Sequence, residues 1–519
     1  MPTFKIDGKE ITVDAGTTIL KAALAHGIEI PHYCYHPALT IAGSCRMCLV
    51  ELEGSPKLVL SCATEVKDGM VVHTRTEQVR DARRSMLEFF LINHPLDCPV
   101  CDKAGECLLQ DYTFKYGSSH SRMVEEKRVR PPKDLGGSIL LYRNRCVLCT
   151  RCVRFFEDVV GEPYLIVENR GYHSDISIFP GRGLTHKMSG NVVEICPVGC
   201  LIDKDFLFNA RVWNLQRTRS ICPGCGSGCN IYLEHKENKI YRIRSRENQE
   251  VNREWICDDG RYIYHAFEDL DRLTAPRAEK EAPLTQAAAL QAIAGHISRL
   301  QQEGRLNEAA LCGSAWATVE DNYMLRRLFA DGLGIRTVLL NAPAPEGEDV
   351  VYKSGFTVRA DKSPNRRGAE LVLGSSRELW QGLREGKIRT LFLLGGGAGL
   401  HLTGEQKELL DGLELLVVWD VAAGDLVRSA DLALPMTSFA EEEGTFVNVQ
   451  GRLQRMHAAL QPPAGIKPAW RSLADLAALL QQPVTAVTAA DIFNDLAGRL
   501  PACAGLSYFK LAEVGVQLS

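Results

Sequence analysis

What this chain of 519 residues lacks removes several functions at once. No apolar run approaches the roughly 20 residues that a helical membrane span needs, so any membrane attachment is expected to come through partner proteins. Neither sign of charge dominates: 60 Lys and Arg face 64 Asp and Glu, a formal net charge of −4. Nothing in that balance asks for nucleic acid or an anionic membrane surface. The opening MPTFKIDGKE holds no apolar h-region and no twin arginine, so a cytoplasmic chain is expected. A dinucleotide fingerprint is missing too. LLGGGAGL (393–400) follows a strand-like run, but GGGAG fits no complete G-x-G-x-x-G, and a tight strand-to-helix turn is the reading. No flavin or NAD site is visible. Internal repeats are absent.

Cysteine is scarce in one half only. Of the 18 cysteines, all but Cys312 and Cys503 lie before residue 260. In a chain with no export signal, so many cysteines are not expected to be disulfides, because the cytosol keeps thiols reduced. Metal is the better expectation, and the spacing divides the cysteines into four sets.

The first set is Cys34-x10-Cys45-x2-Cys48-x13-Cys62, three thiols from one loop and one from a later strand, which suits a 2Fe–2S cluster. Backbone N–H groups from Gly43 to Arg46 could hydrogen-bond its sulfurs. The second is His94-x3-Cys98-x2-Cys101-x5-Cys107, where three cysteines leave one corner of a cubane unfilled. His94 is the nearest residue able to fill it, with Asp97 a weaker candidate; a packed, non-ligating histidine is the bland alternative. Imidazole can replace thiolate at iron–sulfur centres and raises the potential. The third set is Cys146-x2-Cys149-x2-Cys152-x43-Cys196-Pro197, whose triplet and remote Cys-Pro follow ferredoxin spacing for one 4Fe–4S cluster. Cys200 competes with Cys196, and the Cys-Pro context favours Cys196. The fourth is Cys222-x2-Cys225-x3-Cys229-x27-Cys257, again four thiols for a 4Fe–4S cluster. Fifteen cysteines and His94 thus fill four sites of four, leaving Cys200, Cys312 and Cys503 over. Structural zinc wants the same thiolates. Two CxxCxxC-like triplets, a Cys-Pro terminus and four sets in series favour iron–sulfur. His26, His32, His36 and His120 have no ligand deficit nearby.

The pattern between the cysteines implies an α+β multidomain chain. FKIDGKEITV reads as a hairpin around Asp7-Gly8, followed by a helix capped at Thr17 or Thr18 and ending at His26-Gly27. With strands at MCLVELEG and KLVLSCATEV, residues 1–78 are expected to form a β-grasp ferredoxin domain. EQVRDARRSMLEFFLI places Val79, Met86, Phe89 and Phe90 at near-helical spacing and opens a helical His/Cys domain over 79–118. RMVEEKRVRPPKDLGG (122–137) is a charged, exposed connector. A ferredoxin-like unit is expected over 139–212 and a further cluster domain over 216–272. From 273 to 519 the texture becomes α/β: QAAALQAIAGHISRLQQEG is an amphipathic helix, and RTVLL, RTLFLLGG and LELLVVWD are runs typical of buried parallel strands.

PHYCYHPALTIAGSCRMCLVE, HPLDCPVCDKAGECLLQDYT, NRCVLCTRCVRF, SGNVVEICPVG and CPGCGSGCNI together resemble the family of iron–sulfur G subunits of NADH–quinone oxidoreductase, respiratory complex I, over residues 1 to about 265. The resemblance implies one 2Fe–2S cluster, one His/Cys-ligated 4Fe–4S cluster with His94 as ligand, and two all-Cys 4Fe–4S clusters. It implies a flavin-bearing NADH-binding partner upstream, cluster-bearing partners leading to quinone downstream, and attachment to the inner face of the membrane through those partners. In that family the fourth cluster is optional and lies away from the main electron path.

The remainder resembles the molybdopterin oxidoreductase fold that this family carries without cofactor, through LCGSAWATVEDNYMLRRLFADGLG and SADLALPMTSFAEEEGTFVNVQGRLQR. It departs from the molybdenum enzymes in three ways. Asp258-Asp259 follow Cys257 where those enzymes usually have Lys; VLLNAPAPEGEDVVY offers no metal-ligating Cys; and the chain passes quickly to SPNRRGAELVLG and stops at 519. Region 273–519 is therefore expected to be a truncated α/β scaffold without molybdopterin. An electron relay with no catalytic residue of its own is the leading expectation. The same relay module in an NAD-linked or electron-bifurcating hydrogenase or formate dehydrogenase is the close alternative. A molybdenum or tungsten oxidoreductase and a zinc-stapled scaffold are the others.

Overall fold

The computed structural model describes residues 1–179, 181–278, 284–385, 387–396 and 401–518. The chain divides into two compact units: Met1–Leu215 with Tyr352–Phe356, and Gln216–Val351 with Thr357–Ser519.

The first unit begins with the expected hairpin. Strands Thr3–Ile6 and Lys9–Thr12 pair antiparallel across Asp7 and Gly8, both at positive φ (48° and 84°), the geometry a two-residue turn needs to match strand twist. Val71–His73 adds parallel to Thr3–Ile6, and Leu49–Leu52 and Val59–Leu60 complete a five-stranded sheet. Helix Ile19–Ala25 is capped by the Thr18 hydroxyl, which accepts from Lys21 N. Its Ile19, Leu20, Ala22 and Ala23 pack with Phe4, Ile6, Val50 and Val72 in one core. This core anchors both ends of a long loop: residues 26–48 leave the helix and return into the strand at Leu49, carrying Cys34, Cys45 and Cys48.

Helix Glu77–Leu91 starts at Thr76, whose side chain accepts from Val79 N, and buries Val79, Arg83 and Leu87. That i, i+4, i+8 stripe differs from the expected one: Phe89 is 68% exposed, and a cation, Arg83, holds a buried position. The stem of a long basic side chain covers apolar surface as a hydrocarbon would. The connector after Leu108–Tyr116 is largely exposed through residue 132. Beyond it, Lys133–Asp134, Ile139–Leu141 and Leu201–Asp203 form a small antiparallel sheet. Short helices Arg151–Arg154 and Asn191–Ile195 follow, with Phe155 and Phe156 fully buried just after the first.

The second unit opens with an antiparallel sheet of Gln216–Ile221, Asn230–Lys236 and Lys239–Ser245. Its larger sheet runs in the order Arg277–Ala278, Leu432–Pro435, Leu415–Asp420, Thr390–Leu394, Ala309–Ser314, Thr337–Asn341, Arg377–Glu378. All neighbours are parallel except the first pair. Alternate residues of each strand enter different cores. Phe392, Leu394, Val417 and Trp419 belong to one, and Leu391, Leu393, Leu416 and Val418 to the other. A sheet covered on both faces explains why these strands read as unbroken apolar runs. Cys312 and Cys503 sit in these two cores, a common place for an unreactive thiol. Of the glycine run, Gly395 N bonds Trp419 O at 2.8 Å; residues 397–400 lie outside the described residues, and so does the expected turn through them.

Candidate metal centres

The first cysteine set is gathered by the loop after helix Ile19–Ala25 and by the turn after Val59–Leu60. All four thiols are buried. They form one connected chain: the side chain of Cys34 bonds those of Cys45 and Cys62, and that of Cys48 bonds Cys62. Gly43 and Arg46 adopt left-handed φ of 59°, and alternation of right- and left-handed residues turns successive N–H groups toward one concavity. Ser44 N and Cys45 N point at the Cys34 sulfur, and Tyr33 N reaches Cys45 Sγ at 3.4 Å. Hydrogen bonding from Cys62 lowers the Cys48 thiol to about 7 despite its burial. The Ser61 hydroxyl fixes the backbone by donating to Cys48 O at 2.7 Å.

The second set follows helix Glu77–Leu91. Burial, then the Arg145 and Lys127 charges, push His94 down to about 4, so its imidazole is neutral at physiological pH with a lone pair to offer. Asp97 is engaged elsewhere: its Oδ2 accepts from Arg145 Nε at 3.0 Å and Nη2 at 2.7 Å. Cys98 is exposed, while Cys101 and Cys107 are buried. Burial pushes the Cys107 thiol up to about 11 even though Gln110 N and Leu109 N bond its sulfur.

Four cysteines of the third set, Cys146, Cys149, Cys152 and Cys196, line a single cavity together with Cys200. Leu148 and Thr150 take left-handed φ of 46° and 59° between the triplet cysteines, and Leu148 N donates to Cys146 Sγ at 3.3 Å. Burial raises Cys149 to about 12, whereas the Cys200 side chain, bonding to Cys196, lowers the latter to about 6. Cys200 also bonds Cys146. Cys200, which competes with Cys196 on the sequence, lines the same cavity and touches two members of the set.

The second and third sets are joined directly. Leu108 N, next to Cys107, donates to Pro197 O, next to Cys196, at 3.0 Å. Lys103, 5% exposed, donates to Val193 O at 3.2 Å and pairs with Glu106 at 3.5 Å. Arg145 Nη1 donates to Gly199 O at 3.4 Å.

The fourth set stands in the second unit. Cys222 ends one strand, and its N–H bonds Cys229 O at 2.8 Å across the loop that holds Cys225. Cys257 caps the helical turn Asp258–Arg261, its sulfur accepting from Gly260 N at 3.4 Å. A Cβ on Gly260 would come within 2.8 Å of Cys222 Sγ, so this glycine leaves room for a thiol and nothing larger. Burial raises Cys257 to about 12 and holds Cys222 and Cys229 well above the ordinary thiol value.

Among the described residues, no three His, Cys, Asp or Glu side chains draw together tightly enough for one metal ion. The donor chemistry fits iron–sulfur groups: buried thiols meet one another, backbone N–H groups aim at several sulfurs, and the third set surrounds a cavity. Thiols raised by burial lose their protons on metallation, which couples binding to pH.

Family models match along the chain in series. A 2Fe-2S iron-sulfur cluster binding domain covers 1–77 and the NADH-ubiquinone oxidoreductase-G iron-sulfur binding region covers 83–122. The ferredoxin-like domain of NADH-quinone oxidoreductase subunit 3 covers 136–202. The molybdopterin oxidoreductase Fe4S4 domain covers 215–268, and molybdopterin oxidoreductase covers 363–479. The G subunit of NADH-quinone oxidoreductase from Rickettsia felis is 43% identical over 63% of this chain and 49% of its own length. The mitochondrial NADH-ubiquinone oxidoreductase 78 kDa subunit of Candida albicans is 30% identical over 92% of this chain and 82% of its own. A solved chain of an NAD+-reducing NiFe-hydrogenase in the H2-reduced state is 31% identical over 41% of this chain and 91% of its own, with a TM-score of 0.36. The chain matches about half the length of its rickettsial relatives. No helix among the described residues is long and apolar enough to cross a membrane.

Proposed function

Because the chain belongs to the family of iron–sulfur G subunits of NADH–quinone oxidoreductase, we propose that it is the electron-relay subunit of a complex I-type assembly. It takes single electrons from a flavin- and NADH-binding subunit and passes them toward quinone through cluster-bearing partners. Its membrane attachment comes through those partners. We assign a 2Fe–2S cluster to Cys34, Cys45, Cys48 and Cys62. Three 4Fe–4S clusters are assigned to His94, Cys98, Cys101 and Cys107; to Cys146, Cys149, Cys152 and Cys196; and to Cys222, Cys225, Cys229 and Cys257. Reversible one-electron transfer is the chemistry such clusters supply when bound.

The observation that carries this reading is the hydrogen-bonded continuity between the three cysteine sets of the first unit. The Leu108–Pro197 hydrogen bond joins the second set to the third, and Arg154 joins the third to the first. Mutual contact of all four first-set thiols, Cys45–Cys34–Cys62–Cys48, supports their sharing one small cluster. At the second site the neutral imidazole favours His94, and the Arg145–Asp97 pair removes Asp97 from contention. N–H groups aimed at sulfur stabilise negative charge there and so tune potential. The fourth set belongs to the other unit. The α/β region 273–519 serves as scaffold without molybdopterin, since Asp258-Asp259 place negative charge where a cofactor-binding Lys would stand.

The test is purification of the assembled complex, with subunits identified by mass spectrometry and metal and acid-labile sulfide measured. About fourteen irons per chain are expected, two for the first site and four for each other. A hydrogenase or formate dehydrogenase large subunit in the complex, near-stoichiometric molybdenum or tungsten, or zinc in place of iron overturns the reading.

A further inference from the structure

Two arginines flank Cys152 on the helical turn Arg151–Arg154, and each is 7% exposed. Arg154 Nη2 donates both to Cys34 O, at 2.6 Å, and to Cys149 O, at 3.0 Å. One nitrogen thus ties the backbone of a first-site ligand residue to that of a third-site ligand residue. Its Nη1 reaches Thr40 O, and its Nε reaches Thr150 Oγ1 at 3.3 Å. Arg151 repeats the bridge one turn away: Nη2 donates to Tyr35 O at 2.5 Å and Nη1 to Ile195 O at 3.1 Å, the neighbours of Cys34 and Cys196.

Every one of these partners is a carbonyl or a hydroxyl. Asp158, a few residues on, accepts instead from Thr40 N and Oγ1. Two buried guanidinium groups satisfied by neutral acceptors are costly unless an opposite charge lies close. These carbonyl and hydroxyl bonds leave the charge of both groups uncompensated, and Arg151 Nε is buried without a hydrogen-bond partner. Besides Arg154, the ionisable groups facing Arg151 are the thiols of Cys149, Cys196 and Cys34, which would carry negative charge as thiolates when they hold iron. Placing a cation between two anionic centres also serves electron transfer, because it stabilises the reduced, more negative state of each.

We propose that Arg151 and Arg154 are positioning residues that act as a shared counter-charge for the first and third metal sites, locking their loops together and raising both reduction potentials in concert. The inference rests on the ligand assignment above and goes beyond it, because it couples two sites through residues that ligate neither. Removing one positive charge makes both centres harder to reduce. A tenfold change in a one-electron equilibrium corresponds to about 59 mV, and a shift toward that size is expected at both sites.

The experiment is an EPR-monitored redox titration of the full chain in its complex, comparing wild type with Arg154→Lys and Arg154→Gln. Arg154→Gln is expected to lower both potentials together while keeping both signals, and Arg154→Lys, which retains the charge, to restore most of the shift. Unchanged potentials in Arg154→Gln, a shift confined to one centre, or an equal fall in Arg154→Lys overturns the proposal. If Arg154→Gln does not assemble the centres, Arg151→Gln and Arg151→Lys carry the same comparison with the same outcomes. Absence of a 2Fe–2S signal in wild type would refute the ligand assignment instead, so the two failures are distinguishable.

Discussion

Gly199 presses against Cys101: a Cβ on the glycine would lie 2.2 Å from Cys101 Sγ and 3.2 Å from Lys103 Cβ. Residues almost a hundred positions apart are in contact at the seam between the second and third sites, and only hydrogen fits on that Cα. Gly199→Ala is therefore expected to displace the Cys101 thiol. The EPR signal of the His94-containing site should be lost or broadened, with up to about four irons missing. A variant with full iron content and an unaltered signal would refute the close packing.

His94 tests the second site from the ligand side. His94→Cys replaces a neutral ligand by an anionic one, so the cluster is expected to remain at a lower potential. His94→Ala should weaken or abolish that cluster and leave the other three signals in place. An unmoved potential in His94→Cys, read by EPR titration, would show that the imidazole is no ligand.

Gly260 makes the matching test in the second unit. Its Cβ position, 2.8 Å from Cys222 Sγ and 3.4 Å from Ile256, leaves no room for a methyl group. Gly260→Ala should cost about four irons at the fourth site and leave the signals of the first three. If that site lies off the main path, NADH-driven electron transfer through the assembled complex continues in this variant.

A pH dependence is built into the α/β region. Glu320 is fully buried and accepts from Thr445 N at 2.8 Å, Thr445 Oγ1 at 2.9 Å and Tyr508 OH at 2.7 Å. Burial raises its carboxyl to about 7 in spite of those bonds. A carboxyl raised by folding contributes its full stability below the unfolded value and loses it as pH rises through the folded one. Helix Val319–Arg326 should therefore be better protected from hydrogen exchange at pH 5.5 than at pH 8, by up to about 2 kcal/mol. Glu320→Gln should flatten that difference, and an equal pH slope in the variant would exclude Glu320 as its source.

Much of the arrangement is legible residue by residue. A thiol two or three positions from another can share a loop, so Cys146, Cys149 and Cys152 announce a site before folding is considered. Asp7-Gly8 dictates a tight turn because both positions tolerate positive φ, and unbroken runs such as LELLVVWD mark strands covered on both faces. Helix Glu77–Leu91 is less transparent. Apolar spacing points to Phe89, yet the buried stripe runs through Arg83, because hydropathy does not record that an arginine stem can pack while its guanidinium lies over an aromatic ring, here that of Tyr116.

Local chemistry along the chain thus dictated which residue types can bind iron, how many there are, and which strands lie in a buried sheet. Folding alone decided what stands between the sites. Arg154 bridges Cys34 and Cys149 across a separation of 120 residues on one side. Gly199 fits against the Cys101 thiol, 98 positions away. Asp97 is withdrawn from the second site by an arginine 48 residues away. Such facts depend on burial and on close approach between distant segments, which spacing does not encode: buried charges must find partners and packed atoms cannot overlap, whatever their separation along the chain.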